Sequence, residues 1–165
     1  MTKQQRQRRM DELDEGIRVC VRCPLHESRT RAVPGEGPVP AEVFFIGEAP
    51  GGQEDRVGRP FVGPSGTLLN RLLETAGLDR QEVYITSCVK CQPPNNRTPH
   101  TGELNTCQAT WLSRQIDRGG QREVMPCVSP SDEPAPAAAP YVQRRFSSES
   151  LSLVRVECPD LPPAL

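Results

Sequence analysis

Residues 41–46 (AEVFFI) and 82–86 (EVYIT) are short, mostly apolar runs, and between them lie a long glycine- and proline-rich stretch and a strongly periodic segment. This strand–loop–helix–strand order constrains the chain more than any other feature. Leu68, Leu69, Leu72, Leu73 and Ala76 fall on one helical face, with Ser65 in position to cap its start and Gly77 to stop it. A buried strand, a crossover helix and a second strand open a βαβ unit, so the expected fold class is α/β with a parallel sheet. Ligands of such sheets bind beyond the carboxyl ends of the strands. The loops after Ile46 and after Thr86 both leave from that edge.

The first of these loops, residues 47–66, holds six glycines and three prolines. A loop of that length between a strand and a helix is more often functional than filler. Its first half reads Gly47-Glu48-Ala-Pro-Gly-Gly-Gln-Glu54-Asp55. The glycines allow close backbone approach to a ligand, and two carboxylates at a strand end suit holding a water or a cationic transition state. The spacing is neither that of a phosphate-binding P-loop nor that of a dinucleotide fingerprint. Its second half carries Phe61 among glycines and prolines just before a helix start. There an aromatic ring offers a face for a base, or else staples the loop to the helix below. The helix start after Ser65 is also a place for a phosphate. After the second strand comes Lys90-Cys91-Gln-Pro-Pro-Asn-Asn96-Arg97. Asparagine pairs a donor with an acceptor, as a base edge requires, and Lys90 and Arg97 are candidates for phosphate contacts. An exposed polar turn explains the same residues.

Seven cysteines with no apolar leader behind the basic N-terminus point to a reducing cytoplasm and to metal ligands rather than disulfides. Cys20-x2-Cys23 and Cys88-x2-Cys91 are two thiol pairs at metal-binding spacing, followed by Cys107 on a segment, residues 103–117, that reads as helix. By spacing alone the two pairs make a four-cysteine zinc site, and an iron–sulfur cluster needs the same number of thiolates. No run approaches the roughly 20 apolar residues of a membrane span. The net charge of −1 gives no bulk positive field, so any nucleic-acid binding falls to a local surface. Beyond Arg118 the chain turns to proline, serine and alanine. No periodic element is expected there apart from a short strand at residues 153–156, and the composition is that of a disordered tail.

Taken in order, GEAPGGQED, GRPFVGPSG and VKCQPPNNRTP resemble the family 4 uracil-DNA glycosylases, the iron–sulfur type of bacteria and archaea; family 5 shares a looser version. The resemblance covers about residues 10–118. It implies a three-layer α/β/α glycosylase fold with a parallel sheet, incomplete at its C-terminus, with residues 1–118 the front of the domain and 119–165 an unrelated tail. It implies hydrolysis of the N-glycosidic bond of deoxyuridine in DNA by a monomer. A [4Fe-4S] cluster would be held by Cys20, Cys23, Cys91 and Cys107, which leaves Cys88 out, against the zinc pairing. Phe61 would stack on uracil. Glu48 would position water or support the sugar cation, and Glu54 and Asn96 would line the pocket with Gly47 and Ser87.

Two departures accompany the resemblance. The family usually carries asparagine at the position of Ser87, where it reads the uracil edge. It also continues into further strands and a His-Pro-Ser loop, whereas this chain has only His26 and His100. The expectations are therefore a truncation or frame shift after about residue 118, an exposed edge on the second strand, and, as the alternative function, an inactive iron–sulfur or zinc-binding fragment.

Overall fold

A computed structural model describes residues 1–119 and the backbone of residues 123–126. Helix α1 (Lys3–Arg18) opens with a capping box in which Thr2 and Gln5 satisfy each other's backbone amides. Met10, Leu13 and Ile17 are its buried residues, spaced three and four apart on one face. A short helix, α2 (Leu25–Ser28), follows the first cysteine pair. Strand β1 (Val43–Gly47) leads into α3 (Gly52–Val57), α4 (Pro64–Thr75) and strand β2 (Tyr84–Ser87). Helix α5 (Thr101–Cys107) passes through a π-helical turn at residues 108–112 into α6 (Ser113–Gly119).

The sheet is parallel, in the order β2–β1–β3, with Gly47 opposite Ser87 in the β1–β2 register. Successive side chains of β1 point to opposite faces, and the packing follows that alternation. Phe44 meets Met10 and Leu13 of α1 and stacks on Tyr84 at 4.6 Å between ring centres. Phe45 meets Leu69 and Leu73 of α4. Ile46 returns to the first face, against Leu112. Helix α4 thus covers one face, and α1 with the α5–α6 segment covers the other, giving α/β/α layers. Each fully buried Leu, Ile or Phe in these clusters contributes about 1.5–3 kcal/mol.

Helix α4 starts two residues earlier than its sequence suggests. Gly63 is the cap and Pro64 the first helical residue, where its fixed φ and missing amide cost nothing; Ser65 lies inside the first turn. The end is as expected. Gly77 has φ +71°, and the Gly77 and Leu78 amides return to Glu74 and Leu73 in a Schellman closure.

The third strand differs from the sequence expectation. The backbone of β3 (Glu123–Pro126) pairs with β1, so one strand of the sheet comes from the segment that composition set apart. Residues 153–156 and the rest of the tail lie outside the described residues. The outer edge of β2 is not bare either. The Glu36 and Ile85 backbones exchange hydrogen bonds of 2.8 and 2.9 Å, so the Pro/Gly-rich link shields part of that edge.

Between α1 and the sheet sits a buried polar chain. Gln115 bonds to the Pro34 carbonyl and the Tyr84 hydroxyl. Beside it Asp14 has one carboxylate oxygen, Oδ1, with no hydrogen-bond partner. Burial raises the Asp14 carboxyl from 3.8 to about 6, only partly offset by Arg18. The folded chain therefore holds this proton more tightly than the unfolded chain. The resulting penalty is absent below the unfolded value and grows as pH rises to about 6. Asp14→Asn is expected to stabilise the protein by about 1 kcal/mol at pH 7, after discounting for partial exposure, and to lose that gain near pH 4. Denaturant melts at both pH values check it; an equal effect at both would contradict it.

Candidate functional site

The β1–β2 ladder does not stop at the strand ends. The Cys88 amide donates to the Gly47 carbonyl at 2.8 Å, and the Val89 amide to the Glu48 carbonyl at 3.2 Å. Two places converge on this extension: the carboxyl edge of the sheet and a cavity lined by cysteines.

At the sheet edge the structure brings Gly47, Phe61 and Ser87 together. A methyl group built on Gly47 would meet the Phe61 ring at 2.7 Å and the Ser87 hydroxyl at 3.4 Å. Only glycine lets the ring close over the strand end. Phe61 is half-buried and has φ +49°, a left-handed conformation that costs a bulky residue about 1–3 kcal/mol. Glu54 holds it there. This carboxylate, 7% exposed, accepts from the Val62 amide at 2.9 Å and the Gly63 amide at 2.8 Å through Oε1, and from the Gly51 amide at 3.2 Å through Oε2. Both halves of the loop are thereby tied to one anion immediately after Phe61. Asp55, passed over in the sequence, does the same for the preceding segment by accepting from the Thr30 and Arg31 amides.

Glu48 follows Gly47 at the strand end and is half-buried. Asn96 belongs to the neighbouring loop; it is exposed, its φ is +54°, and its Oδ1 accepts from Gln92 Nε2 at 2.7 Å. The Gln92 amide lies 3.5 Å from where a Gly52 side chain would begin, so the two loops adjoin. The two expected phosphate contacts fare differently. Lys90 is 1% exposed and turned inward, which removes it from any backbone-contacting surface. Arg97 forms a two-point ion pair with Glu103 at 2.8 and 2.9 Å.

Cys20, Cys23, Cys91 and Cys107 line one cavity, together with Arg29, Lys90 and Trp111. Cys88 packs instead with Ile46 and Leu112. Each sulfur of the four receives a donor. Trp111 Nε1 reaches Cys20 at 3.2 Å and Arg29 Nη1 reaches Cys91 at 3.0 Å, while the Leu25 and Lys90 backbone amides serve Cys23 and Cys107. A neutral thiol is a weak acceptor; a thiolate bound to a metal is a good one, and donors of this kind orient and tune it. The π-helical turn sets Trp111 in place, and such turns gather at functional positions. Burial raises the thiol of Cys107 to about 12, with Cys23 and Cys91 raised for the same reason. A metal would have to displace those protons. Among the described residues no three His, Cys, Asp or Glu side chains close tightly enough on a point to hold one ion.

The Glu54 clamp has a measurable consequence. Glu54→Ala leaves three partly buried amides without their anion and is expected to cost about 2–3 kcal/mol, whereas Glu54→Gln, which keeps an acceptor, costs about half as much. Chemical denaturation checks both, and an Ala variant as stable as the parent would contradict the clamp.

Residues 34–131 match the family model described as the uracil DNA glycosylase superfamily. The type-4 uracil-DNA glycosylase of Saccharolobus solfataricus is 52% identical over 112 residues, which are 66% of this chain and 51% of that protein. Its counterpart from Sulfurisphaera tokodaii is 50% identical over 109 residues, 66% of this chain and 49% of that one. The type-5 enzyme of Thermus thermophilus is 40% identical over 100 residues, 52% and 45% of the two chains. The chain spans about half the length of the curated relatives it matches. With this match over more than half its length and a parallel α/β sheet to go with it, the chain belongs to the uracil-DNA glycosylase superfamily.

Proposed function

We propose that this chain is a uracil-DNA glycosylase that hydrolyses the N-glycosidic bond of deoxyuridine in DNA and carries a [4Fe-4S] cluster on Cys20, Cys23, Cys91 and Cys107. One observation carries the reading: a cavity lined by four cysteines and the Gly47–Phe61–Ser87 cluster hang from the same strand-end ladder. The four cysteines that line the cavity supply the number of thiolates an iron–sulfur cluster needs. The packing of Cys88 away from the cavity favours the same choice.

In this reading the target base leaves the stack and enters at the carboxyl edge of the sheet. Phe61 stacks on the uracil, fixed by the Glu54 clamp. Gly47 keeps the strand end open to the ring, and Ser87 offers its hydroxyl at the same place. Glu48 positions water or stabilises the cationic sugar. Asn96 borders the pocket from the second loop. Uracil departs as an anion, so donors aimed at its oxygens lower the barrier. The cluster, when bound, supplies a structural tie between the N-terminal segment, the second loop and α5. Residues 1–118 form the front of the catalytic domain, and the segment beyond adds β3. No helix among the described residues is long and apolar enough to cross a membrane, and no disulfide joins the five described cysteines. The proposed enzyme has a cytoplasmic location and acts as a monomer in DNA repair.

The test is anaerobic purification with iron, sulfide and zinc counted per chain, and a uracil-release assay on a labelled oligonucleotide. Iron with uracil release is the expected result. Zinc without iron would overturn the cluster, and iron without release would overturn the activity. Cys107→Ala is expected to lose the iron, while Cys88→Ala keeps it. With iron retained, Phe61→Ala is expected to slow uracil release by about 5- to 150-fold, the worth of one base stack. Glu48→Gln is expected to slow it by about 10²–10⁴-fold.

A further inference from the structure

One buried cation lies between the two halves of the site and makes no ion pair among the described residues; the Asp14 carboxylate attracts it without contact. Lys90 is 1% exposed and lines the cysteine cavity. Its Nζ donates to Thr86 Oγ1 and to the Ser87 carbonyl, each at 2.6 Å. Both acceptors are neutral. The ion pairs of the described residues use Arg18, Arg59, Arg80 and Arg97, and none involves Lys90. An ammonium carries three donors, and these oxygens take two. A buried charge without a contacting anion is expensive, so such groups are usually paired or bind an ion. The opposite deficit stands across the cavity, where four ionised thiols holding a metal group would bury net negative charge. Arg29 meets part of it from a half-exposed position, at Cys91.

We propose that Lys90 is a positioning residue shared by the two centres: its ammonium offsets the charge of the thiolate-held group on one side and pins the Thr86–Ser87 end of β2 on the other. This rests on the iron–sulfur reading above. It gives the metal centre a direct mechanical route to the base pocket, because Ser87 sits beside Gly47 and Phe61.

The chain has only two lysines, Lys3 and Lys90, and Lys3 begins α1 at the surface. Full-length Lys3→Arg protein grown with lysine ¹⁵N-labelled only at the side-chain Nζ therefore reports on one side chain, free of the Lys90 backbone amide that serves Cys107. With the cluster reduced to a paramagnetic state, pulsed EPR is expected to detect a ¹⁵N coupling from Lys90; iron-loaded protein without that coupling would overturn the proposal. This measurement needs no change at Lys90, so it stands even if Lys90 variants do not fold. In iron-loaded Lys90→Met, loss of a nearby positive charge should lower the cluster's midpoint potential. Iron loss to a chelator should quicken by about 10- to 100-fold. Amide exchange at Cys88 and Val89 should speed up by about tenfold as the strand end loosens. Unchanged potential, chelation and exchange would contradict the proposal while leaving the cluster intact. Parent protein without iron would overturn the iron–sulfur reading and this proposal with it.

Discussion

The parallel ladder between β1 and β2, and its two-bond continuation through Gly47–Cys88 and Glu48–Val89, sets the position of everything else in the site. It fixes Gly47 beside Ser87, which gives Phe61 a place to close. It also carries the chain into Val89, Lys90 and Cys91 at a defined height, so that Cys91 enters the cavity shared with Cys20, Cys23 and Cys107. Shifting the pairing by one residue would reverse every side chain on β2. Tyr84 would leave Phe44, and Ile85 would leave the α4 layer. Burial on both faces therefore enforces the register, and the register in turn places the chemistry.

Around that ladder the chain uses buried charge to hold unfavourable conformations. Phe61 is kept left-handed by the Glu54 anion gripping the amides that follow it. Asp55, one residue on, ties the link after α2 to the same short helix. These carboxylates are adjacent in sequence and serve two different segments, so α3, only six residues long, works as a bracket for the loop more than as a layer of the fold. Glu54 was expected to line the pocket. Its oxygens are committed to backbone amides, so its place in the proposed site is to position Phe61.

What the sequence made legible was what local rules decide. The Leu69/Leu73 stripe and Gly77 give α4 and its end, and two apolar runs give β1 and β2. What escaped it depends on distant partners. Strand β3 has four residues, begins with glutamate and ends with proline; it exists because β1 offers an edge, and no periodicity announces it. The two thiol pairs look equivalent in spacing, yet Cys88 packs with Ile46 and Leu112 while Cys91 reaches the cavity. Nothing local says that Lys90, flanked by a valine and a cysteine, is buried as a cation while its expected companion Arg97 is spent on Glu103. The site residues named by resemblance are drawn together only in part: Gly47, Phe61 and Ser87 meet, and Asn96 stands on the adjoining loop.

In the proposed site, base binding and the metal centre are built on the two ends of one ladder extension. A crystal structure of anaerobically purified protein with uracil bound tests this arrangement most directly. It predicts the uracil ring stacked on Phe61 over Gly47 and Ser87, with iron bonded to Cys20, Cys23, Cys91 and Cys107 and with Cys88 uncoordinated. Uracil bound away from the Gly47 strand end, or a metal bonded to Cys88, would contradict it.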